Sequence, residues 1–547
     1  MRRFERAYVV LAALAAYGVA LFSRGWPRDD RWLILEHPLL RAGWAGAREL
    51  LSSGYVQPLL GAETPIHEWR PVLSLTFLLQ RVTTGFSPLP LHAVNVLLHI
   101  AVCLLVLEAL RRRLPQGALA GALCFAVLPV HGEVVAYVSS RSELLSALSV
   151  LGAWLLLGAP GKPRVLAGCA LYALGCLSKE SAMLFPLFLA MSDWTFGGNR
   201  PWNRKVYLAL GLVAALVLAG RALVLPTLAG GGVPYFATTP VISRLLTLAK
   251  FWSWWYLRPA VTGTGICVDF SRPMIPDAAT TDIVAWVCLL ALIGMIVAAL
   301  NALRKRKAWG FWLLAPCVFL LPTSHLLMNL DTLGAQRFLY LPGLAVAAGF
   351  ALIKDRRAAA LILLGFTSLA FSNARRWRDD VAFYEAAAAC NPVSAKVAAG
   401  LGGAYLRAGR DADGEAQLRR ALSINPHFFD ASMNLAMLSY GRKDYASART
   451  FVNAALAERP FMPGALTLQA LLDEREGKTA SAAAALARAV AVAPDNPVAR
   501  FNFARQLALA GRPAQAAEQI RAFLRLAPDD ADAPQARKWL MELEAAK

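Results

Sequence analysis

Eleven apolar runs divide the first 373 residues of this chain, at about 7–23, 88–110, 115–136, 142–159, 165–179, 180–195, 205–224, 282–302, 309–328, 337–353 and 358–373. Each approaches the roughly 17–25 residues a helix needs to cross a bilayer. Composition agrees. The chain is 57% apolar and 17% charged, whereas a soluble protein is nearer half and a quarter. Fibrous, disordered and small disulfide-stapled folds are excluded, and a polytopic, all-α membrane domain is expected. Its excess charge is orientation charge: residues 1–373 carry 33 basic and 17 acidic side chains, the basic ones mainly in short loops between apolar runs. That distribution does not describe a nucleic-acid surface.

The basic clusters at 111–113, 162–164, 200–205, 304–307 and 354–357 belong on the cytoplasmic side. For all of them to lie there, the stretch 165–198 must cross twice, turning at Ser178, Lys179 and Glu180. The stretch 244–260, with Phe251, Trp252, Trp254, Trp255 and Tyr256, must not cross and suits an interfacial helix on the outer face. The start, MRRFER before an apolar run, has the charge pattern of a secretory signal; an uncleaved anchor with its basic end in the cytoplasm is expected. An odd span count then puts the loop 24–87 and everything after Asn373 outside. Arg outnumbers Lys 44 to 12, which points to a GC-rich bacterial genome and an inner-membrane home with a periplasmic outer face.

Cys103, Cys124, Cys169, Cys176, Cys288 and Cys317 lie within apolar runs, where a thiol behaves as a small hydrophobe, while Cys267 and Cys390 lie outside them. No Cys-x-x-Cys or Cys/His cluster has zinc spacing, so no structural metal is expected.

Beyond residue 373 the pattern changes. Pro392, Pro426, Pro460, Pro494 and Pro528 recur every 34 residues. Gly402, Ala436, Ala470 and Ala504 keep the same period, as do Ala421, Ala455 and Ala489. Small residues where two helices touch, with Pro closing the second, are the signature of the tetratricopeptide repeat (TPR). Four repeats run over about 393–528, with a capping helix at 534–546. The division read from sequence is thus 1–373, a membrane domain, and 374–547, a TPR solenoid of the kind that binds peptides on a concave face.

Ionisable residues at membrane depth are functional candidates because burying them is costly. Asp29 and Asp30 follow the first span and suit a general base or cation site; the plainer alternative is two solvated loop acids. His92, Asn95 and His99 share one helical face, as site residues or as interhelical glue. His131 and Glu133 end the third span, and Arg141 and Glu143 open the fourth, gathering at one outer loop. Lys179 and Glu180 mark a turn, as a site or an internal ion pair. Arg337 opens the tenth crossing, where it can grip a phosphate or snorkel to the headgroups.

The ordered motifs RDDRWLILEHPLL at 28–40, WRPVLSLTFLL at 69–79, LHAVNVLLH at 91–99, LPVHGEVVAYVSSRSELLSAL at 128–148, LSKESAMLFP at 177–186, CVDFSRPMIP at 267–276, QRFLYLPG at 336–343 and WRDDVAFYEAAAACNPVSAK at 377–396 resemble the transmembrane and tetratricopeptide-repeat (TMTC) family. Its members are relatives of protein O-mannosyltransferases in the GT-C glycosyltransferase superfamily. Glu36-His37-Pro38, where members usually carry Asn-Pro or Asn-Asp, and His325 in place of a usual Asn are departures. The resemblance implies a polyprenyl-phosphate-sugar-dependent protein O-glycosyltransferase with Asp29 and Asp30 in the place of the catalytic acid. It implies transfer of mannose or a similar hexose to a hydroxyl of a protein acceptor bound by the TPR array. Arg337, Arg141, Lys179 and Arg70 are then candidates for the donor phosphate, with His131, Glu133, Glu143 and His92 around them. A divalent cation is not expected. A transporter path through Asp29, His92, His131 and Glu133, or a non-enzymatic TPR scaffold, are the competing readings. The first calls for polar residues deep in many helices, and the second leaves the outer cluster unexplained.

Overall fold

The computed structural model describes residues 2–27, 29–55, 68–158, 161–197, 203–225, 235–270, 274–327, 330, 332–528 and 530–545. Part of the external loop, at 56–67, and Arg200 of one basic cluster lie outside the described residues. Among the described residues every regular element is helical. The chain forms two compact units, Met1–Pro392 and Val393–Lys547.

In the first unit, Phe4–Phe22, Pro88–Arg113, Val138–Leu157, Arg204–Val224, Ile283–Arg304 and Arg356–Arg375 are long and apolar enough to cross a membrane. Ala118–Val127 and Pro129–Ala136 make one further candidate, bent by 47°. Pro129 sits at the break, where its missing N–H and its ring interrupt the helical ladder. Six described helices, or seven with the bent pair, therefore reach span length, where eleven apolar runs were expected to cross. The other runs form shorter helices, Lys162–Ser178, Phe185–Phe196, Ala308–Leu320 and Gly343–Phe350. Much of the apolar surface faces outward, as a lipid solvent permits: Leu290 and Val287 on the helix Ile283–Arg304 are 63% and 61% exposed.

The 244–260 stretch is helical but not uniform, passing from Val241–Phe251 through a π turn at Trp252–Leu257 to Arg258–Thr262. Phe251 and Tyr256 are buried and packed on each other, while Trp254 is exposed. Two of the five aromatic residues of the run are therefore core.

The first external loop folds as a small cap. Leu33, Ile34, Leu40, Leu50 and Tyr55 pack on Leu73 and Phe77 of the helix Pro71–Thr84 and on Leu91 and Val138. His37 closes the start of Pro38–Arg41, its Nδ1 accepting from the Leu40 N–H at 3.4 Å while its Nε2–H donates to the Tyr55 carbonyl at 3.2 Å. The imidazole thus does the capping work of an Asn. Burial lowers its pKa to about 4, so it stays neutral.

The second unit is a stack of antiparallel helix pairs: Ala395–Arg407 with Asp411–Ile424, Phe429–Gly441 with Tyr445–Glu458, Pro463–Arg475 with Thr479–Val492, and Pro497–Leu509 with Pro513–Leu526, closed by Ala533–Ala545. Small residues face each other within each pair. A Cβ on Gly402 would come within 2.7 Å of Leu418 Cγ and 2.9 Å of the Gly414 carbonyl oxygen. At the equivalent places Ala436 and Ala448, Ala470 and Ala482, and Ala504 and Ala516 are all buried. The 34-residue period thus sets the contact between the two helices of each repeat.

The segment 374–392 packs with the first unit, so the compact units divide at Pro392, later in the chain than the 373/374 division read from composition. Trp377, fully buried, stacks on Tyr137 at 5.0 Å, and Phe383 packs on Trp377.

Candidate active site

One short segment, from Glu133 to Glu143, organises the candidate residues. It begins in the helix Gly132–Ala136, turns through the 3-10 segment Val138–Ser140 and enters the helix Arg141–Leu157. At the turn the Val138 and Ser139 N–H groups donate to Asp30 at 3.0 and 2.8 Å, and the Ser139 hydroxyl donates to the same carboxylate. Asp30 is fully buried. Burial pushes its carboxyl up to about 7, against the lowering effect of those donors. Asp29 is half-buried. The Tyr137 hydroxyl donates to its Oδ2 at 3.2 Å, and the Trp32 indole N–H donates to its Oδ1 at 3.3 Å.

The cations divide into two kinds. Arg141 is wholly inside the protein. Its Nε donates to Asn95 Oδ1 at 2.9 Å, its other nitrogens to Thr76 Oγ1 at 3.2 Å and the Leu91 carbonyl at 3.0 Å, and its guanidinium lies over Phe77 at 4.5 Å. Here Arg141 ties helices together and presents no face to a lipid phosphate, contrary to the donor-binding role expected of it. Arg337, by contrast, keeps 23% of its side chain exposed while its NH1 donates to Glu133 Oε1 at 2.6 Å. Its backbone N–H donates to Glu133 Oε2 at 3.0 Å. Lys179 pairs with Glu143 and lies over the Phe338 ring at 5.1 Å, and the Arg337 guanidinium lies 5.2 Å from the same ring. Arg70 bridges Glu68 at 2.9 Å and Glu180 at 3.1 Å, and Arg221 joins Glu180 at 2.9 Å. Lys179 and Glu180 are thus bound to different partners, not to each other as a simple turn pair.

The three candidate histidines, His92, His99 and His131, are internal. His92 is buried and meets the backbone at Ala136. His99 Nε2–H donates to the Ala126 carbonyl at 3.2 Å, leaving Nδ1 to accept from the Tyr340 hydroxyl at 2.8 Å. His131 Nδ1–H donates to the Phe125 carbonyl at 3.1 Å. The face His92, Asn95 and His99 is therefore interhelical hydrogen bonding. Among the described residues no group of His, Cys, Asp and Glu side chains could hold a metal ion. A cavity of about 10 Å³, room for one water, is lined by Glu133, Val268, Gln336, Arg376 and Trp377, among others. A larger groove of about 770 Å³ between Leu187, Trp194, Leu300 and Arg304 contains none of the candidate residues.

Tyr137, Trp32, Ser139, Glu68, Arg221 and Phe338 went unsingled in the sequence. Tyr137 and Ser139 lie inside the motif at 128–148, and that inclusion was their only signal. Trp32 stood in the aromatic run around Asp29.

A tetratricopeptide-repeat family model matches residues 404–463 and 467–531. Protein O-mannosyl-transferase F38B6.6 of Caenorhabditis elegans is 23% identical over 424 residues, covering 73% of this chain and 60% of that protein. Protein O-mannosyl-transferase TMTC4 of Homo sapiens is 27% identical over 416 residues, covering 63% and 56%. Protein O-mannosyl-transferase Tmtc3 of Drosophila melanogaster is 26% identical over 502 residues, covering 72% and 53%. The chain is thus similar over most of its length to protein O-mannosyl-transferases of the TMTC type. It spans 53–60% of the length of these TMTC relatives. Among solved structures, Pseudomonas aeruginosa pilF matches at 17% identity with a TM-score of 0.27, over 34% of this chain and 87% of that one. A thermophilic TPR protein of Thermus thermophilus matches at 20% identity and a TM-score of 0.26, over 34% and 96%.

Proposed function

We propose that this chain transfers a hexose, mannose or one like it, from a polyprenyl phosphate to a hydroxyl of a protein on the extracytoplasmic face of the inner membrane. One observation carries the reading: the segment 133–143 supplies a partner to Asp29, Asp30, Arg337 and Lys179 together. The names of the relatives, protein O-mannosyl-transferases, point to the same chemistry.

In this mechanism Asp29 is the base. Hydrogen bonds from Tyr137 and Trp32 hold the carboxylate in place while the residue stays partly exposed. The acceptor oxygen attacks the anomeric carbon as Asp29 takes its proton. The glycosidic C–O electrons leave with the lipid phosphate, whose charge is met by Arg337, Lys179 and Arg70. Asp30 positions the turn that carries Tyr137. Arg141 holds the segment to the neighbouring helices. The TPR unit presents the polypeptide acceptor.

Two substitutions test this in the purified full chain with a polyprenyl-phosphate hexose and a hydroxyl peptide. Asp29→Asn keeps size but takes no proton, and should lower kcat by ~10²-fold or more with donor KM little changed. Arg337→Ala should raise donor KM more than Arg337→Lys, because a planar fork grips phosphate better than a point charge. Wild-type turnover in Asp29→Asn would remove the carboxylate mechanism. Equal, normal donor KM in both Arg337 variants would leave that side chain a snorkelling residue.

A further inference from the structure

Cys267 and Cys390 are 123 residues apart in the chain and joined by a disulfide, with Cα atoms 5.7 Å apart. Cys267 follows the helix Arg258–Thr262, and Cys390 ends the helix Asp380–Cys390, shortly before the first repeat. The bond does not stand alone. Asn391 Nδ2 donates to Asp269 Oδ2 at 2.8 Å, and Arg376 NH1 donates to the Ile266 carbonyl at 3.2 Å. The same stem also meets the first external loop, where the Arg24 and Gly25 N–H groups both donate to the Arg378 carbonyl at 3.0 Å. A Cβ on Gly25 would come within 2.5 Å of Asp379 Cα, so the approach needs glycine there. Trp377 of the stem stacks on Tyr137, the donor to Asp29.

We propose that the Cys267–Cys390 bond is an oxidative lock, made on the extracytoplasmic face, that fixes the stem 376–391 as a wall of the Asp29 site. Disulfides persist in oxidising compartments and are rare where glutathione and thioredoxin keep thiols reduced. The other cysteines with described side chains, Cys103, Cys124, Cys169, Cys176 and Cys288, are free and sit in apolar helices. The pairing thus joins the two cysteines placed in polar segments. In its formation the two thiols give two electrons and two protons to the disulfide of a periplasmic thiol oxidase, which leaves as a dithiol. Reduction of the lock would free the stem from the 263–270 loop while leaving the loop's helix in place.

The test uses the full chain expressed in a Gram-negative host, with free thiols blocked by N-ethylmaleimide at lysis. Non-reduced digestion should yield one peptide pair linked through Cys267 and Cys390. The yield should fall, with both thiols blocked instead, in a host lacking its periplasmic thiol oxidase. In the wild-type protein trypsin should cut at Arg375, Arg376 and Arg378 more slowly than in Cys390→Ser, and Cys267→Ser with Cys390→Ser together should behave as Cys390→Ser alone. Blocked thiols at both positions in the ordinary host, or linkage equally abundant without the oxidase, would overturn the proposal. So would equal cleavage of wild type and variant. Thiol mapping is independent of sugar transfer, so a failure of the Asp29 mechanism and a failure of the lock are read separately.

Discussion

Adjacent side chains on a turn face different ways, and at Asp29 and Asp30 that divergence decides which carboxylate stays partly exposed. Asp30 turns inward onto the Val138 and Ser139 N–H groups, whereas Asp29 stays half-buried beneath Tyr137 and Trp32. Burial raises Asp30 from 3.8 to about 7. A carboxyl whose folded pKa is raised favours the folded state most below its unfolded pKa, and that contribution is lost as pH rises through the folded value. Wild-type thermal stability should therefore fall between pH ~4 and pH ~7 by more than that of Asp30→Asn, which cannot ionise. Parallel melting curves of the two proteins over that range would refute the assignment. The pair was legible from sequence as a candidate because it follows the first span. Its inner and outer members were not, because the donors that bury Asp30 come from residues more than a hundred positions away. Arg141 shows the same limit: a charge beside an outer loop reads as a ligand until Asn95, Thr76 and Leu91 are seen to enclose it.

At the scale of the element, local rules served best where one helix meets its successor. The Pro and small-residue periods gave the repeat pairs directly, since each unit buries its apolar face only against its neighbours. Gly402 makes a tight contact of this kind. Gly402→Ala should destabilise the first repeat by about 1–3 kcal/mol, because Leu418 and the Gly414 carbonyl already occupy the space of a Cβ. Hydrogen exchange on the full chain should then show the amides of 395–424 exchanging about tenfold faster or more, with 463–526 unaffected. Unchanged exchange at 395–424 would mean the pair can separate freely. Apolar runs in the membrane unit were less informative. They marked helices correctly but not their length, since Pro129 and Pro342 break runs that hydropathy alone reads as continuous.

At the scale of the whole molecule, the proposed mechanism assigns chemistry and acceptor recognition to separate compact units. The carboxylates, the cations and the stem through Pro392 belong to the first, the repeats to the second. Deleting 393–547 should therefore spare turnover of a simple hydroxyl acceptor while reducing modification of proteins. Unchanged protein modification after the deletion would assign the array to docking something other than the acceptor. The most direct measurement is intact-mass analysis of periplasmic proteins from a host making this chain, the Asp29→Asn chain, or neither. The account predicts hexose-sized mass additions on Ser or Thr of some of those proteins, present with the wild-type chain and lost with Asp29→Asn at equal membrane levels. Identical masses in all three hosts, with a polyprenyl-phosphate hexose supplied, would contradict glycosyl transfer.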